Sequence, residues 1–165
     1  MDPTDVFKKR NFSKVNFDYE ELIGRNLSNS NLKGVDLKNR DIHNADLSGS
    51  DLSGSDLSDT ILFNVKLRGA DLRNVNLTNA KLWDTDLYGV DLTNANISGA
   101  DLFYADLRNA DLRNVNLSGV NLRHTNFDGA TFESIDFTNA NYDLDTLNTI
   151  SKDIKLILEM QGNLW

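Results

Sequence analysis

Cysteine is absent from the 165-residue chain, which excludes a disulfide framework. Also absent is any run of 18 apolar residues, so no membrane-spanning helix is predicted. Basic residues are few, 17 Lys and Arg against 25 Asp and Glu. The net charge of −8 argues against binding to nucleic acid or to an anionic membrane surface. The N-terminus has no basic region followed by an apolar run, so we predict no signal peptide and expect a cytoplasmic protein.

Leucine, by contrast, recurs at every fifth position through most of the chain. From Phe12 to Tyr142, all 27 positions in this register are Leu, Ile, Phe or Tyr. A period of five matches neither the 3.6 residues of a helical turn nor the two-residue repeat of a strand, so the chain must turn once per repeat. We therefore expect a solenoid in which the register residue, here called the centre, points into a narrow core.

The residues around each centre also follow a pattern. The position two before the centre is Ala, Val, Ser, Thr or Ile in 23 of 27 repeats, and the position just before it is usually Asp or Asn. Two residues after the centre, 21 of 27 positions are Gly, Asn or Asp. These residue types tolerate the positive φ that position i+2 of a type II turn requires. Each repeat is therefore predicted to form a short extended piece and a tight corner. The centre and the small residue should lie inside, with the other three residues in water.

Repeats such as Ala100-Asp101-Leu102-Phe103-Tyr104 resemble the pentapeptide-repeat family, and the resemblance covers residues 10–144. It implies an all-β solenoid, a right-handed quadrilateral parallel β-helix with four repeats in each coil. The 27 repeats would then form about seven coils. Residues 20 apart would stack in columns, with successive coils about 4.8 Å apart.

Both ends of such a solenoid expose unpaired backbone edges and need covering. Residues 1–9 are predicted to form an N-terminal cap with a short helix, in which Asp2 is the N-cap and Pro3 the first helical residue. Residues 145–165 are predicted to form a C-terminal helical cap and tail. One helix or two short ones should cover 145–161, with Asp145 or Ser151 as N-cap and an end near Gly162. A dimerisation helix is the alternative. The apolar stripe begins at Leu144, and the candidate end-cap residues are Leu147, Ile150, Ile154, Ile157 and Leu158.

Four inward positions carry charges instead of small residues: Arg10, Glu20, Arg25 and Arg40. Glu20 and Arg40 are 20 residues apart and could form a buried ion pair in adjacent coils. Alternatively, the first coil is distorted and these side chains reach the solvent.

One outward column differs from the other three, because it reads Ile23, His43, Phe63, Trp83, Phe103 and Arg123. Its aromatic residues are expected to stack in successive coils, with Ile61 and Tyr104 beside them. Such an apolar patch is typical of an interaction surface. We therefore predict an interaction face of Ile61, Phe63, Trp83, Phe103 and Tyr104. Two alternatives are a ladder that only stabilises the coils and a patch covered by the terminal helix.

No catalytic, cofactor or metal site is predicted. His43 and His124 lie four coils apart, and the glycines are spaced as corners rather than as a phosphate loop. We predict a non-enzymatic, bacterial-type interaction scaffold, a monomer or weak dimer. Its partner would be an unknown protein or a second copy, and it would bind neither nucleic acid nor membranes. The resemblance also implies an alternative, because some family members mimic DNA at type II topoisomerases such as DNA gyrase. The acidic sign of the rod agrees with such mimicry. Against it, residues 10–142 carry 19 acidic and 13 basic residues, a net charge of only −6, and the faces are interrupted by Arg68, Arg73, Arg108 and Arg113.

Overall fold

The chain winds into a solenoid whose successive coils pair in parallel. The structure, a computed structural model, describes residues 9–13, 15, 17 and 22–160. Its β-bridges join residues 20 apart, as in Asp51 with Asp71 and Asp71 with Asp91. One coil therefore contains four five-residue repeats, and residues 20 apart form columns, as the sequence predicts.

Regular strands are short and few in the described part of the chain. The strands β1 (Asp111–Arg113) and β2 (Thr131–Glu133) pair in parallel, and the remaining sides contribute isolated bridges. Each side has only five residues, and the corner uses part of them, so little extended chain remains. The coils are followed by two helices, α1 (Leu144–Thr149) and α2 (Lys152–Met160).

The core is a column of centres. Every centre from Phe12 to Tyr142 is buried except Phe132 and Tyr142, which are half-buried. The rings of Phe127, Phe132 and Phe137 lie side by side near the last coil, with centroids 5.6 and 6.3 Å apart. One part of the sequence prediction is wrong, because the residue after the centre does not always face water. Ser28, Ser53 and Ser58 occupy that position and are buried.

The corners have the predicted backbone conformation. Every fifth residue from Gly24 to Asn139 has a positive φ, including Tyr104 (59°), His124 (58°) and Ser134 (51°), which are not typical residues for it. A hydrogen bond closes the corner, as between the Val35 N–H and the Leu32 carbonyl at 3.1 Å. The chain therefore keeps its register even where the local residue disfavours the turn.

Polar side chains complete the hydrogen bonding of the coils. Where Asp or Asn precedes a centre, its side chain usually accepts the N–H two residues later, as Asp51 does from Ser53 at 2.9 Å. This bond explains why the position is acidic or amidic without any catalytic role. Inside, the Thr85 hydroxyl donates to the carbonyl of Leu62 in the preceding coil at 2.9 Å. The hydroxyl groups of Ser50, Ser55, Thr60 and Thr125 make the same bond.

Gly54 allows a test of the corner geometry. Its φ is +68°, and a Cβ built there would meet no atom within 4 Å. We expect Gly54→Ala to lower the free energy of unfolding by about 1–2 kcal/mol, because a Cβ is strained in the left-handed region. Gly54→Asn should cost less, because asparagine holds the equivalent corner at Asn74 with a φ of 57°. Urea unfolding of both variants would measure this, and an equal or larger loss for Gly54→Asn would contradict the explanation.

The C-terminal helices differ in detail from the sequence prediction. Asp143, rather than Asp145, is the N-cap of α1, because its side chain accepts the Thr146 N–H at 3.0 Å. Helix α1 therefore begins at Leu144, and the chain is extended at Ile150 before α2. Ser151 directly precedes α2, and its carbonyl accepts the Lys155 N–H at 3.1 Å. Leu144 is 76% exposed, so it does not belong to the buried stripe.

The candidate end-cap residues pack against the core. Ile150, Ile154 and Leu158 are buried in it, and Leu147 is partly buried against it. Ile157 lies in α2, and its side chain is outside the described residues.

Side chains of α1 bond to the last coil where another coil would otherwise pair. Within the coils, an N–H donates to the carbonyl 19 residues later, as Leu122 does to Asn141. The His124 N–H instead meets the Asp143 carboxylate, with both oxygens at 3.2 Å. The Phe127 N–H donates to the Thr149 hydroxyl at 3.0 Å, and the Thr146 hydroxyl donates to the Leu122 carbonyl at 2.6 Å. These side chains therefore satisfy part of the open edge.

Some predictions fall outside the described residues. They are the N-terminal helix, which would lie in residues 1–8, the ion pair of Glu20 and the helix end near Gly162. Of the other charged residues at inward positions, Arg10 is exposed, and Arg25 and Arg40 are half-buried. Within the described ranges, neither α1 nor α2 is long and apolar enough to cross a membrane.

Candidate functional site: an exposed aromatic face

One side of the solenoid collects the aromatic residues that the core does not use. Parallel bridges join Asp41 to Ile61, Ile61 to Lys81 and Lys81 to Asp101, and these four residues define the column just before the centres. The centres between them point inward, so the residues on either side of each centre point outward. Ile61, Phe63, Trp83, Phe103 and Tyr104 thus share one side, hereafter the aromatic face.

The aromatic face is open to solvent. Tyr104 is 55% exposed, Trp83 46% and Phe63 36%, while Ile61 and Phe103 are half-buried. In the part of the chain that the structure describes, six large hydrophobic residues are exposed, and three of them lie on this face. Since α1 and α2 leave Trp83 and Phe63 exposed, these helices do not cover it.

The sequence predicted that the aromatic rings stack in successive coils. The rings of the aromatic face instead form separate contacts and no continuous stack. Phe63 stacks on His43, with centroids 4.6 Å apart, and Tyr104 stacks on His124 at the same distance. Phe103 meets the Tyr104 ring edge-on at 4.5 Å. Among the described residues, Trp83 makes no ring contact. A stabilising ladder therefore accounts for Phe63 and Phe103, but it gives no reason for Trp83.

A groove runs beside Trp83. It has a volume of about 350 Å³ and is lined by Trp83, Asp101, Phe103, Asn121 and Arg123. The Asn121 amide donates to the Asp101 carboxylate at 2.8 Å, and the Arg123 guanidinium lies 5.8 Å from the Phe103 ring centroid. Arg123 has no ion pair with any described residue, so its charge is available at the rim.

The other faces carry charges that pair locally. Arg108 Nη2 lies 2.7 Å from Asp106 Oδ2, and Arg113 Nη2 lies 2.6 Å from Asp111 Oδ2. Hydrogen bonds from these guanidinium groups outweigh burial and lower the pKa of Asp106 and Asp111. On the same sides, the Arg68 guanidinium lies 3.9 Å from the Tyr88 ring centroid. The acidic surface is therefore interrupted by arginines.

A polar cluster at one corner of the aromatic face was not predicted. His124 Nδ1 lies 3.0 Å from the Asp145 carboxylate and 3.3 Å from that of Asp143. Burial raises the pKa of Asp143, but hydrogen bonds from the Thr146 and His124 N–H groups outweigh it and lower the pKa. One signal could have indicated this cluster: Asp143 follows His124 by the 19 residues that separate bonded groups in adjacent coils.

Comparisons with known proteins agree with the repeat. A family model described as pentapeptide repeats matches residues 41–79, 70–103 and 105–141, in eight copies. No curated protein matches the chain at a significant level.

Several solved structures match. A pentapeptide repeat protein (Rfr23) from the cyanobacterium Cyanothece 51142 is 36% identical, covering 67% of this chain and 66% of that one, with a TM-score of 0.30. One from the Arabidopsis thaliana thylakoid lumen is 31% identical, covering 74% and 76%, with a TM-score of 0.30. QnrB1, a plasmid-mediated fluoroquinolone resistance protein, is 16% identical, covering 93% of each chain, with a TM-score of 0.39.

Proposed function

Since the chain belongs to the pentapeptide-repeat family, we propose that it is a non-enzymatic scaffold that binds a protein partner through the aromatic face. The observation that carries the proposal is the 46% exposure of Trp83 beside an open groove. The repeat accounts for the buried centres, the corner residues and the Asp and Asn positions as structure. It does not require an aromatic residue at Trp83.

The composition of the groove supports a protein partner. Trp, Tyr and Arg are the residues enriched among those that dominate binding energy at protein interfaces. Here Trp83, Tyr104 and Arg123 lie on or beside one groove. The partner is an unknown protein or a second copy of this chain, in a weak dimer. The proposal includes a right-handed rod of about seven coils, because parallel crossover connections almost always have that hand. It also includes a cytoplasmic location.

Trp83→Asp tests this proposal. A charge in the groove should abolish partner binding, whereas circular dichroism and melting should not change, because Trp83 makes no ring contact within the described ranges. The measurements are quantitative comparison of the proteins that co-purify with each variant and light scattering, which detects a second copy.

Tyr88→Asp is the matched control, because it adds the same charge at an aromatic residue on another side. It should retain whatever wild type binds. Retention of the partner by Trp83→Asp would reject the groove as the contact. If Trp83→Asp unfolds, the result would instead support the alternative that the aromatic column only stabilises the coils.

DNA mimicry remains the alternative. Its best support is a column of carboxylates in successive coils, formed by Asp51, Asp71, Asp91 and Asp111. Arg73 and Arg113 are hydrogen-bonded to Asp71 and Asp111 in this column, so the face also presents positive charge. A phosphate backbone has no equivalent of these cations, and we therefore favour the aromatic face.

A further inference from the structure

The corner where α1 meets the last coils brings together three metal-ligating side chains from two parts of the chain. His124 belongs to a corner of the solenoid, whereas Asp143 and Asp145 are the N-cap and a first-turn residue of α1. One donor atom from each lies within 4.8 Å of the other two. No metal site was predicted from the sequence, because His43 and His124 lie four coils apart and cannot converge on one ion.

Two of the three groups are held in place by neighbours outside the cluster. The His124 ring stacks on Tyr104 at 4.6 Å with 12° between the planes, and it meets the Phe103 ring edge-on at 5.5 Å. The Asp143 carboxylate accepts the N–H and the hydroxyl of Thr146, at 3.0 and 2.9 Å. Such supporting contacts fix the direction of a ligand before the ion arrives. Asp145 is 73% exposed and leaves the site open to water.

Two of the three distances between donor atoms suit a first-row ion. With metal–ligand bonds of 2.0–2.2 Å, neighbouring ligands of a tetrahedral or octahedral ion lie about 3.0–3.5 Å apart. His124 Nδ1 is 3.0 Å from Asp145 Oδ2 and 3.3 Å from Asp143 Oδ2. An imidazole with two carboxylates is a donor set that suits zinc and its first-row neighbours.

The charges also favour a dication. Two carboxylates face a single imidazole, and within the described ranges no Lys or Arg forms an ion pair with Asp143 or Asp145. We propose that His124 Nδ1 and one oxygen each of Asp143 and Asp145 bind one Zn²⁺-class ion, with water at the remaining positions. The ion would join the last coils to α1 at the corner of the aromatic face.

His43 provides an internal comparison. Its Nδ1 lies 2.7 Å from Asp41, so it has the same His–Asp contact, but this carboxylate is its only acidic neighbour within ion-pair distance in the described residues. With two donors instead of three, we expect no comparable zinc binding there.

Calorimetric titration of the chelator-treated, dialysed full chain with zinc chloride tests the proposal. We expect one ion per chain in wild type and His43→Ala. Affinity should fall by roughly tenfold or more in both His124→Ala and Asp145→Asn, because each loses a ligand. Zinc should also raise the melting temperature of wild type and His43→Ala, but not of His124→Ala.

The Asp145→Asn variant keeps the test valid if His124→Ala disturbs the fold, because the Asp145 side chain is exposed. Melting in chelator shows whether each variant is folded. The proposal is rejected if wild type takes up no zinc, if folded His124→Ala and Asp145→Asn both bind as wild type does, or if His43→Ala alone abolishes binding.

Discussion

Replacing Leu87 with alanine should lower the free energy of unfolding by about 2–5 kcal/mol. Leu87 is a centre in the middle of the solenoid and is 1% exposed. Backbone hydrogen bonds tie its coil to the coils on either side, from the Leu87 N–H to the Asp106 carbonyl and from the Asp86 N–H to the Val65 carbonyl. These bonds fix the spacing, so the coils cannot close around the lost side chain and a cavity remains. Urea unfolding followed by circular dichroism measures the loss.

Leu144→Ala is the matched control, because it makes the same chemical change at a leucine that is 76% exposed. Its effect should stay within about 0.5 kcal/mol. Similar losses at the two positions would show that burial in the column is not what stabilises the coils.

Asp143→Ala should have the second large effect, a loss of about 1–3 kcal/mol. The variant removes the acceptor of two N–H groups, those of His124 in the coil and Thr146 in α1. Hydrogen exchange at these two amides should accelerate, and urea unfolding should report the loss. Asp145→Ala in chelator is the control, because its exposed side chain accepts neither N–H.

The same residue predicts a dependence on pH. The pKa of Asp143 lies below its ordinary value of 3.8, so the folded protein favours its ionised form. Its stabilising contribution is complete above the unfolded value and is lost as the pH falls through the folded value. The stability difference between wild type and Asp143→Asn should therefore shrink as the pH falls below about 4. A difference that stays constant in acid would exclude a role for the carboxylate charge.

The five-residue register predicted the parts of the fold that repeat. The buried leucines and the positive φ at Gly54 and Asn74 follow from counting, as does the alignment of Phe63 with Trp83. The register even places Tyr104 and His124 at corners that their residue types disfavour, because the neighbouring coils impose the turn.

The details that depend on side-chain orientation or on the helices could not be predicted from the five-residue register. Asp143 and Asp145 are both suitable N-caps, and the choice depends on the His124 N–H, which belongs to another coil. The apolar stripe runs unbroken through Ile150, so nothing in its spacing marks the extended residue there. Likewise, the column places Trp83 beside Phe103 but does not determine the angle of either ring.

The pairing of residues 20 apart has a consequence for how the chain folds. Completing a coil closes a loop of about 20 residues, and that entropic cost is the same for the third coil as for the sixth. A finished coil presents the backbone edge on which the next one assembles, so folding can begin in any coil and spread in both directions. The exposed edge of the last coil could therefore pair with a further coil. Helix α1 occupies part of this edge, because Asp143, Thr146 and Thr149 are bonded to it, and so prevents the addition of another coil there.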